Sequence, residues 1–99
     1  MDERKERKIK EYLDSYGISH NTNGYCFLVE VIKGMMKNGS TVKLQWLYDE
    51  VGKQCGITGA CVSSTIRYSV KHSDKASGIK IRTFIKDGVD YAKTGYLGK

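Results

Sequence analysis

The sequence predicts a small all-α domain of about five helices, and three observations support this prediction. Apolar residues recur every three or four positions through most of the chain, which is the period of a helix with one buried face. Glycines and polar clusters separate these periodic stretches, and proline is absent. The 99 residues are enough for one hydrophobic core but too few for two. We therefore expect residues 1–99 to form a single domain.

The periodic stretches begin and end with residues typical of helix termini. Gly17 should cap the C-terminus of the first helix. Ser40 or Thr41 should cap the N-terminus of the third helix, and Thr58 that of the fourth. The helices are expected at residues 3–16, 24–38, 42–55, 59–72 and 80–90, with boundaries good to about two to four residues.

The region around the fifth predicted helix leaves an alternative open. Ile79-Lys80-Ile81-Arg82 alternates apolar and basic residues, which is also typical of a short strand. Residues 94–99 contain two glycines and little to bury, so we expect this tail to fray.

The apolar stripes also predict the core. Cys26 and Cys61 lie beside apolar helix positions, where a free thiol behaves as a small core residue. Trp46 should be at least partly covered. The residues expected to be largely buried are Leu28, Ile32, Leu44, Leu47, Val51, Val62 and Ile66.

The cysteines and the N-terminal stretch point to a reducing compartment. Cys26, Cys55 and Cys61 cannot all pair within one chain, and residues 2–10 are almost wholly charged, unlike a signal peptide. We expect reduced thiols in a cytoplasmic protein. No apolar run reaches membrane-spanning length, so no membrane partner is expected.

The residues that carry catalytic or metal chemistry are poorly represented. Cys55 and Cys61 lack a second Cys or His pair that would complete a tetrahedral metal site. Neither His20 nor His72 has a nucleophile motif beside it, and no glycine loop has the ending that binds phosphate. The chain is therefore expected to be no enzyme and to have no cofactor and no metal.

The net charge of +6 lies in the second half of the chain. Residues 1–51 carry 8 Lys and Arg against 8 Asp and Glu, whereas residues 52–99 carry 9 against 3. Such an asymmetry is expected of a nucleic-acid-binding protein, although an ordinary basic surface accounts for the charge equally well.

The segment 42–72, where the basic half of the chain begins, has the pattern of two helices joined by a short turn. Apolar residues recur at helical spacing before and after the short stretch Gly56-Ile57-Thr58. Two amphipathic helices joined by such a turn predict a helix-turn-helix, a motif that can place its second helix in the major groove of DNA.

The outward face of the fourth helix provides the candidate DNA contacts. Arg67 can bind guanine or a phosphate through two hydrogen bonds, whereas Tyr68 and Lys71 suit the DNA backbone. The alternative is an ordinary solvated surface with Arg67 in an intramolecular ion pair. The predicted DNA-binding residues are Thr58, Ser63, Ser64, Arg67, Tyr68, Lys71 and Lys75.

A series of residues spread over about 12–72 suggests a family. In chain order they are Gly17-Ile18, Gly24-Tyr25, Phe27-Leu28, Ile32, Leu47-Tyr48, Val51, Lys53, Thr58, Val62 and Ile66-Arg67. This series resembles the C-terminal DNA-binding effector domain of the master response regulator of sporulation in endospore-forming bacteria. The resemblance implies an all-helical domain with a helix-turn-helix that binds promoter DNA, and hence a role in transcription regulation. It implies no phosphorylation control, because the chain has no room for the receiver domain.

The chain departs from that family on the helix that would read DNA. Ser63 and Ser64 stand where the family has an acidic and a basic residue, and Cys61 replaces another basic one. Tyr68 replaces a histidine, and only Arg67 keeps its family identity on this face. Each lost contact would be worth roughly 1–3 kcal/mol if it were base-specific, so the family's operator sequence is not expected here.

Two functions from different classes therefore stay open. The first is a free-standing DNA-binding protein, a transcriptional regulator that binds double-stranded DNA as a monomer or weak homodimer. The second is a protein-interaction module, such as an inhibitor or an accessory protein of a mobile element, that kept the helical scaffold but lost the residues that read DNA. The charge asymmetry favours the first function, and the serine-rich face favours the second.

Overall fold

Five helices form in the computed structural model, which describes residues 3–39 and 41–94. No strand occurs in these ranges, so the predicted all-α class is confirmed for them. None of the helices found there is long and apolar enough to cross a membrane. The helices are α1 (Glu3–Ser15), α2 (Asn23–Asn38), α3 (Leu44–Cys55), α4 (Gly59–Lys71) and α5 (Ile81–Thr94).

Helix α2 is the centre of the packing. It contacts each of the other four helices, while α3 packs on α4 and α1 packs on α5. The two pairs are therefore joined mainly through α2. A hydrogen bond ties the second pair together, because the buried Tyr12 hydroxyl donates to the Phe84 carbonyl oxygen over 2.6 Å.

Most of the predicted core is confirmed, with three exceptions. Leu44 is only half-buried because it is the first residue of α3 and lies at the edge of the core. Cys26 and Cys61 are exposed, so their interpretation as core residues is wrong; each lies about 100° around its helix from a buried neighbour. Trp46 is 46% exposed and is thus partly covered, as predicted. The buried members of the predicted set are Leu28, Ile32, Leu47, Val51, Val62 and Ile66.

The helix caps agree with the sequence at two of the three predicted places. Gly17 follows α1 with a φ of 78°, and Thr58 caps α4 by accepting a hydrogen bond from the Cys61 backbone over 3.1 Å. The predicted cap of α3 is wrong for Thr41, because the N-cap position is Lys43, which makes no side-chain cap bond. Ser40 lies outside the described residues.

The last helix is longer than predicted, and the strand alternative at residues 79–82 is wrong. Helix α5 begins at Ile81, and Phe84 N–H donates to the Lys80 carbonyl oxygen over 2.8 Å. The helix continues beyond residue 90 because Ala92 extends its buried stripe. The predicted frayed tail begins with Thr94, the last residue of α5, and its remainder, 95–99, lies outside the described residues.

Candidate nucleic-acid interface

The turn between α3 and α4 depends on two glycines. Gly56 ends α3 in the left-handed conformation with a φ of 74°, and Ile57 N–H donates to the Gly52 carbonyl oxygen over 2.9 Å. A Cβ on Gly52 would lie 2.6 Å from the Ile57 carbonyl oxygen, too close for any side chain. The chain can therefore leave α3 and enter α4 within residues 56–58.

A carboxylate of α3 lies against the start of α4. Asp49 accepts a hydrogen bond from Gln45 Nε2 over 3.0 Å. Its Oδ1 atom lies 1.9 Å from the position that a Cβ on Gly59 would occupy, so only glycine allows this approach. A negative charge at this place stabilises the N-terminus of α4.

The inner face of α4 fixes how the helix is rotated. Val62, Ile66 and Val70 are each no more than 1% exposed. Beside them, Ser69 packs against α2 at Gly24, where an added Cβ would lie 1.8 Å from Ser69 Oγ. These contacts determine which residues of α4 face solvent.

The outer face of α4 contains four of the predicted DNA-binding residues. Ser64, Arg67, Tyr68 and Lys71 are exposed, and Tyr68 is 64% exposed. The Tyr68 ring stacks on His72 with centroids 3.9 Å apart. The helix therefore presents a hydroxyl, a guanidinium, an aromatic pair and an ammonium group on one side.

The other three predicted residues lie at the edges of this face or turn away from it. Thr58 is used as the cap of α4, although its own O–H can still donate a hydrogen bond. Lys75 lies beyond α4, and its Nζ donates to the Ser15 carbonyl oxygen over 3.4 Å. Ser63 is half-buried beside Tyr48 of α3, so it is less exposed than the neighbouring Ser64.

The pKa of the Tyr48 phenol depends on charges from two other helices. Burial raises the pKa of its phenol, whereas the positive charges of Arg67 and Arg82, and the hydrogen bond from Ser63, lower it. Arg82 comes from α5 and is not among the residues that the sequence predicts for the site. Where Arg82 lies relative to Tyr48 depends on the path that residues 72–80 take between α4 and α5. No local pattern in the sequence predicts that path.

The ion pairs are unevenly distributed over the molecule. In residues 3–39 and 41–94, the basic residues that form ion pairs with carboxylates all lie in α1, α2, α3 or the loop after α1. The basic residues of α4 and α5 make no such pair there. Arg67 is therefore not held in the intramolecular ion pair that the alternative interpretation of this face requires.

The side chains that could hold a metal ion are scattered. In the part of the chain that the structure describes, no three His, Cys, Asp or Glu side chains lie close enough to bind one. Cys26, Cys55 and Cys61 are free thiols and exposed.

Comparisons with protein-family models, with curated proteins and with solved structures find no match for this chain. What the protein does is therefore inferred from its own residues.

Proposed function

We propose that this chain is a small DNA-binding protein, a transcriptional regulator whose partner is double-stranded DNA. In this proposal residues 42–72 form a helix-turn-helix and α4 enters the major groove. The observation that carries the proposal concerns the two basic residues of α4. Arg67 and Lys71 have no carboxylate partner among residues 3–39 and 41–94, so both can bind phosphates without breaking an existing ion pair.

The dimensions and chemistry of α4 support this role. Its 13 residues make a helix about 20 Å long, and the major groove admits an α-helix. Ser64 is small enough to let the helix approach the bases closely. Lys71 lies one turn beyond Arg67 and is placed for a phosphate of the backbone. The resemblance to the effector domain of sporulation regulators favours the same class of protein.

A second candidate function is a protein-interaction module on the same surface. Three large apolar side chains are exposed in the described residues, Trp46, Ile57 and Tyr68, and all three lie in the segment 42–72. Exposed aromatic residues are enriched at protein interfaces. A partner protein that covers these side chains would explain them without any contact to DNA.

Electrophoretic mobility shift with a random duplex at two salt concentrations separates the two functions. DNA binding through phosphates must weaken steeply as salt rises. Arg67→Ala should cost roughly 1–3 kcal/mol of binding free energy, and Lys71→Ala should weaken all duplexes about equally and flatten the salt dependence by about one unit.

Lys37→Ala is the matched control because it removes an exposed lysine from the last turn of α2. It should leave the affinity close to that of the parent, and all three variants should melt like the parent. Full affinity in both α4 variants, with the fold intact, would show that α4 does not contact the DNA and would favour the protein partner.

A further inference from the structure

A cleft of about 570 Å³ lies where α1, α2, α3 and α5 meet. Helix α4, which the structure describes in full, contributes no residue to its lining. Lysines from three of the four helices line the cleft, together with a glutamate of α2 and a glutamine from the end of α3. We call it the lysine cleft, and its charged and amide side chains are Lys5, Glu30, Lys33, Lys37, Gln54 and Lys93.

Positive charge exceeds negative charge in the lysine cleft. The ammonium group of Lys33 already has carboxylate partners, Glu6 at 3.0 Å and Glu30 at 3.5 Å. Glu30 is the only carboxylate that lines the cleft in the part of the chain that the structure describes. The other three lysines are exposed, and none of them forms an ion pair within residues 3–39 and 41–94. Three lysines therefore line one cleft without a carboxylate partner from the described residues.

Contacts between α1 and α5 bring two of these lysines to the cleft. Lys8 Nζ lies 5.9 Å from the centre of the Tyr91 ring, and the Tyr91 hydroxyl donates a hydrogen bond to Glu11 over 3.2 Å. The start of α1 thus lies beside the end of α5. Lys5 is in the first turn of α1 and Lys93 is in the last turn of α5, so both reach the cleft.

The packing of α2 on α3 places the remaining polar side chains. Lys33 and Lys37 are four residues apart and lie on one face of α2. Gly34 lies next to Lys33, and a Cβ there would be 2.8 Å from Leu47 Cδ2, so α3 packs closely on α2 at this point. Gln54 follows Leu47 by seven residues on the same face of α3, and it lines the cleft two turns later. Its amide can donate a hydrogen bond to a ligand.

This set of side chains favours a small anion with several negative charges. An ammonium group donates up to three hydrogen bonds and binds phosphate as a point charge. A single carboxylate would neutralise only one of the three lysines, whereas a chain of phosphates offers a negative charge to each. The cleft is in the range of roughly 300–1,000 Å³ that is usual for small-molecule sites. None of the described residues that line it is aromatic, so a nucleotide base would find no ring to stack on.

We propose that the lysine cleft is a binding site for a small polyphosphate anion, held by Lys5, Lys37 and Lys93. The recognised group is the phosphate chain, whether it is inorganic or belongs to a nucleotide. Gln54 adds a neutral hydrogen bond at the edge of the site. The inference is independent of the proposed function, because the cleft contains none of the residues predicted to bind DNA.

Isothermal titration calorimetry of the full chain with inorganic triphosphate, in the absence of divalent cations, tests this site. Lys37→Ala and Lys93→Ala each remove one ammonium group and should each weaken binding roughly fivefold. Lys37→Arg keeps the charge and should keep most of the affinity. All variants should melt like the parent when no ligand is present, because these side chains are exposed.

Lys86→Ala is the matched control from the same helix as Lys93. Lys86 is exposed, does not line the cleft and forms no ion pair within residues 3–39 and 41–94. It lies two turns before Lys93, about 10 Å along the helix, which is roughly one Debye length at about 0.1 M salt. This variant should therefore bind triphosphate like the parent.

Two further measurements check that the phosphate chain is the recognised group. Adenosine triphosphate should bind with an affinity similar to that of inorganic triphosphate and lose affinity in the same variants, whereas adenosine should not bind. Inorganic triphosphate should raise the melting temperature of the parent more than that of the double variant Lys37→Ala/Lys93→Ala, because a ligand stabilises the fold that binds it.

Several results would overturn the polyphosphate site. One is a parent that binds no triphosphate at millimolar concentration, and another is adenosine binding as tightly as adenosine triphosphate. Equal losses in Lys86→Ala and Lys93→Ala would show a general effect of net charge. If the double variant Lys37→Ala/Lys93→Ala weakened duplex binding as much as triphosphate binding, the cleft would be part of a nucleic-acid surface instead. The calorimetry contains no DNA, so its failure leaves the proposed function untouched.

Discussion

Several basic residues of α1 and α2 have carboxylate partners, whereas those of α4 and α5 have none within the described residues. Lys10 lies 3.3 Å from Glu6, and Lys33 lies between Glu6 at 3.0 Å and Glu30 at 3.5 Å. Arg67 and Arg82 have no such partner in the described residues. Both regions are rich in lysine and arginine, so the count of basic residues does not locate a binding surface. In the proposed function, the unpaired basic residues that share the exposed face of α4 are the ones that bind phosphate.

The pKa shifts follow the same division. A hydrogen bond from Lys33 lowers the pKa of Glu6, and the same contact raises the pKa of Lys33. At Tyr48 the situation differs, because burial raises the pKa of its phenol and the positive charges of Arg67 and Arg82 only oppose that rise. The paired charges of α1 and α2 thus stabilise one another, whereas Arg67 and Arg82 act on a neutral group.

The largest expected effect comes from placing a carboxylate on either face of α4. Val62 is fully buried, so Val62→Asp puts an unpaired charge among apolar groups and should lower the free energy of unfolding by several kcal/mol or prevent folding. Ser64→Asp puts the same charge on the exposed face and should leave the melting temperature nearly unchanged. It should weaken duplex binding roughly tenfold or more, because a carboxylate repels the phosphates.

Thermal melting and mobility shift of the two variants check this prediction. An unchanged melt for Val62→Asp would show that the rotation of α4 is assigned wrongly. Unchanged DNA affinity for Ser64→Asp would remove the exposed face of α4 from the interface.

The next effect concerns the turn that orients α4. Gly52→Ala adds a Cβ that would lie 2.6 Å from the Ile57 carbonyl oxygen, so the turn must shift to make room. We expect a loss of roughly 1–3 kcal/mol in unfolding free energy. Gly78→Ala is the control, since nothing lies within 4 Å of a Cβ there. Equal melting temperatures for the two variants would contradict the close approach at Gly52.

The sequence predicted the helices well because their signals are local. The apolar period located all five, and the φ of 78° at Gly17 and the hydroxyl cap at Thr58 agree with the residue types at those positions. Helix α5 was predicted too short because the contribution of Ala92 depends on its neighbours in the fold.

The candidate site was less predictable, since it depends on contacts between helices. Ser63 and Ser64 are adjacent and chemically identical, yet Ser63 is half-buried and Ser64 exposed, because the packing of α4 on its neighbours fixes how the helix is rotated. Arg82 is distant from Arg67 in sequence and approaches the same hydroxyl through the path of the loop before α5. Whether Arg67 forms an ion pair likewise depends on the nearby carboxylates of α3. Asp49 accepts a hydrogen bond from Gln45, and Glu50 pairs with Lys53.

A pair of lysine variants gives a smaller effect and tests the comparison directly. Lys33→Ala removes the partner of Glu30 and one of the two partners of Glu6, which keeps Lys10. It should lower the unfolding free energy by up to about 1 kcal/mol, with DNA affinity unchanged. Lys71→Ala should show the reverse, with weaker DNA binding and a nearly unchanged melt. If Lys33→Ala weakened DNA binding as much as Lys71→Ala, the affinity would depend on net charge and not on unpaired residues.

The smallest effect is the pH dependence of the Glu6 contact. Because the pKa of Glu6 is lower in the folded protein than in the unfolded chain, the contact stabilises the fold above the unfolded pKa, and the stabilisation is lost as the pH falls through the folded pKa. Glu6→Gln should therefore lower the melting temperature slightly near neutral pH, and the difference from the parent should vanish in strong acid. Glu6 is about a third exposed, which keeps the expected loss below about 1 kcal/mol.

Glu6→Gln also raises the net charge by one unit without changing α4 or α5, so its DNA affinity should match that of the parent. Tighter DNA binding by Glu6→Gln would show that α1 contributes to the interface. A melting difference that does not change with pH would show that the Glu6 ion pairs do not stabilise the fold. Both results together would remove the distinction between the two regions.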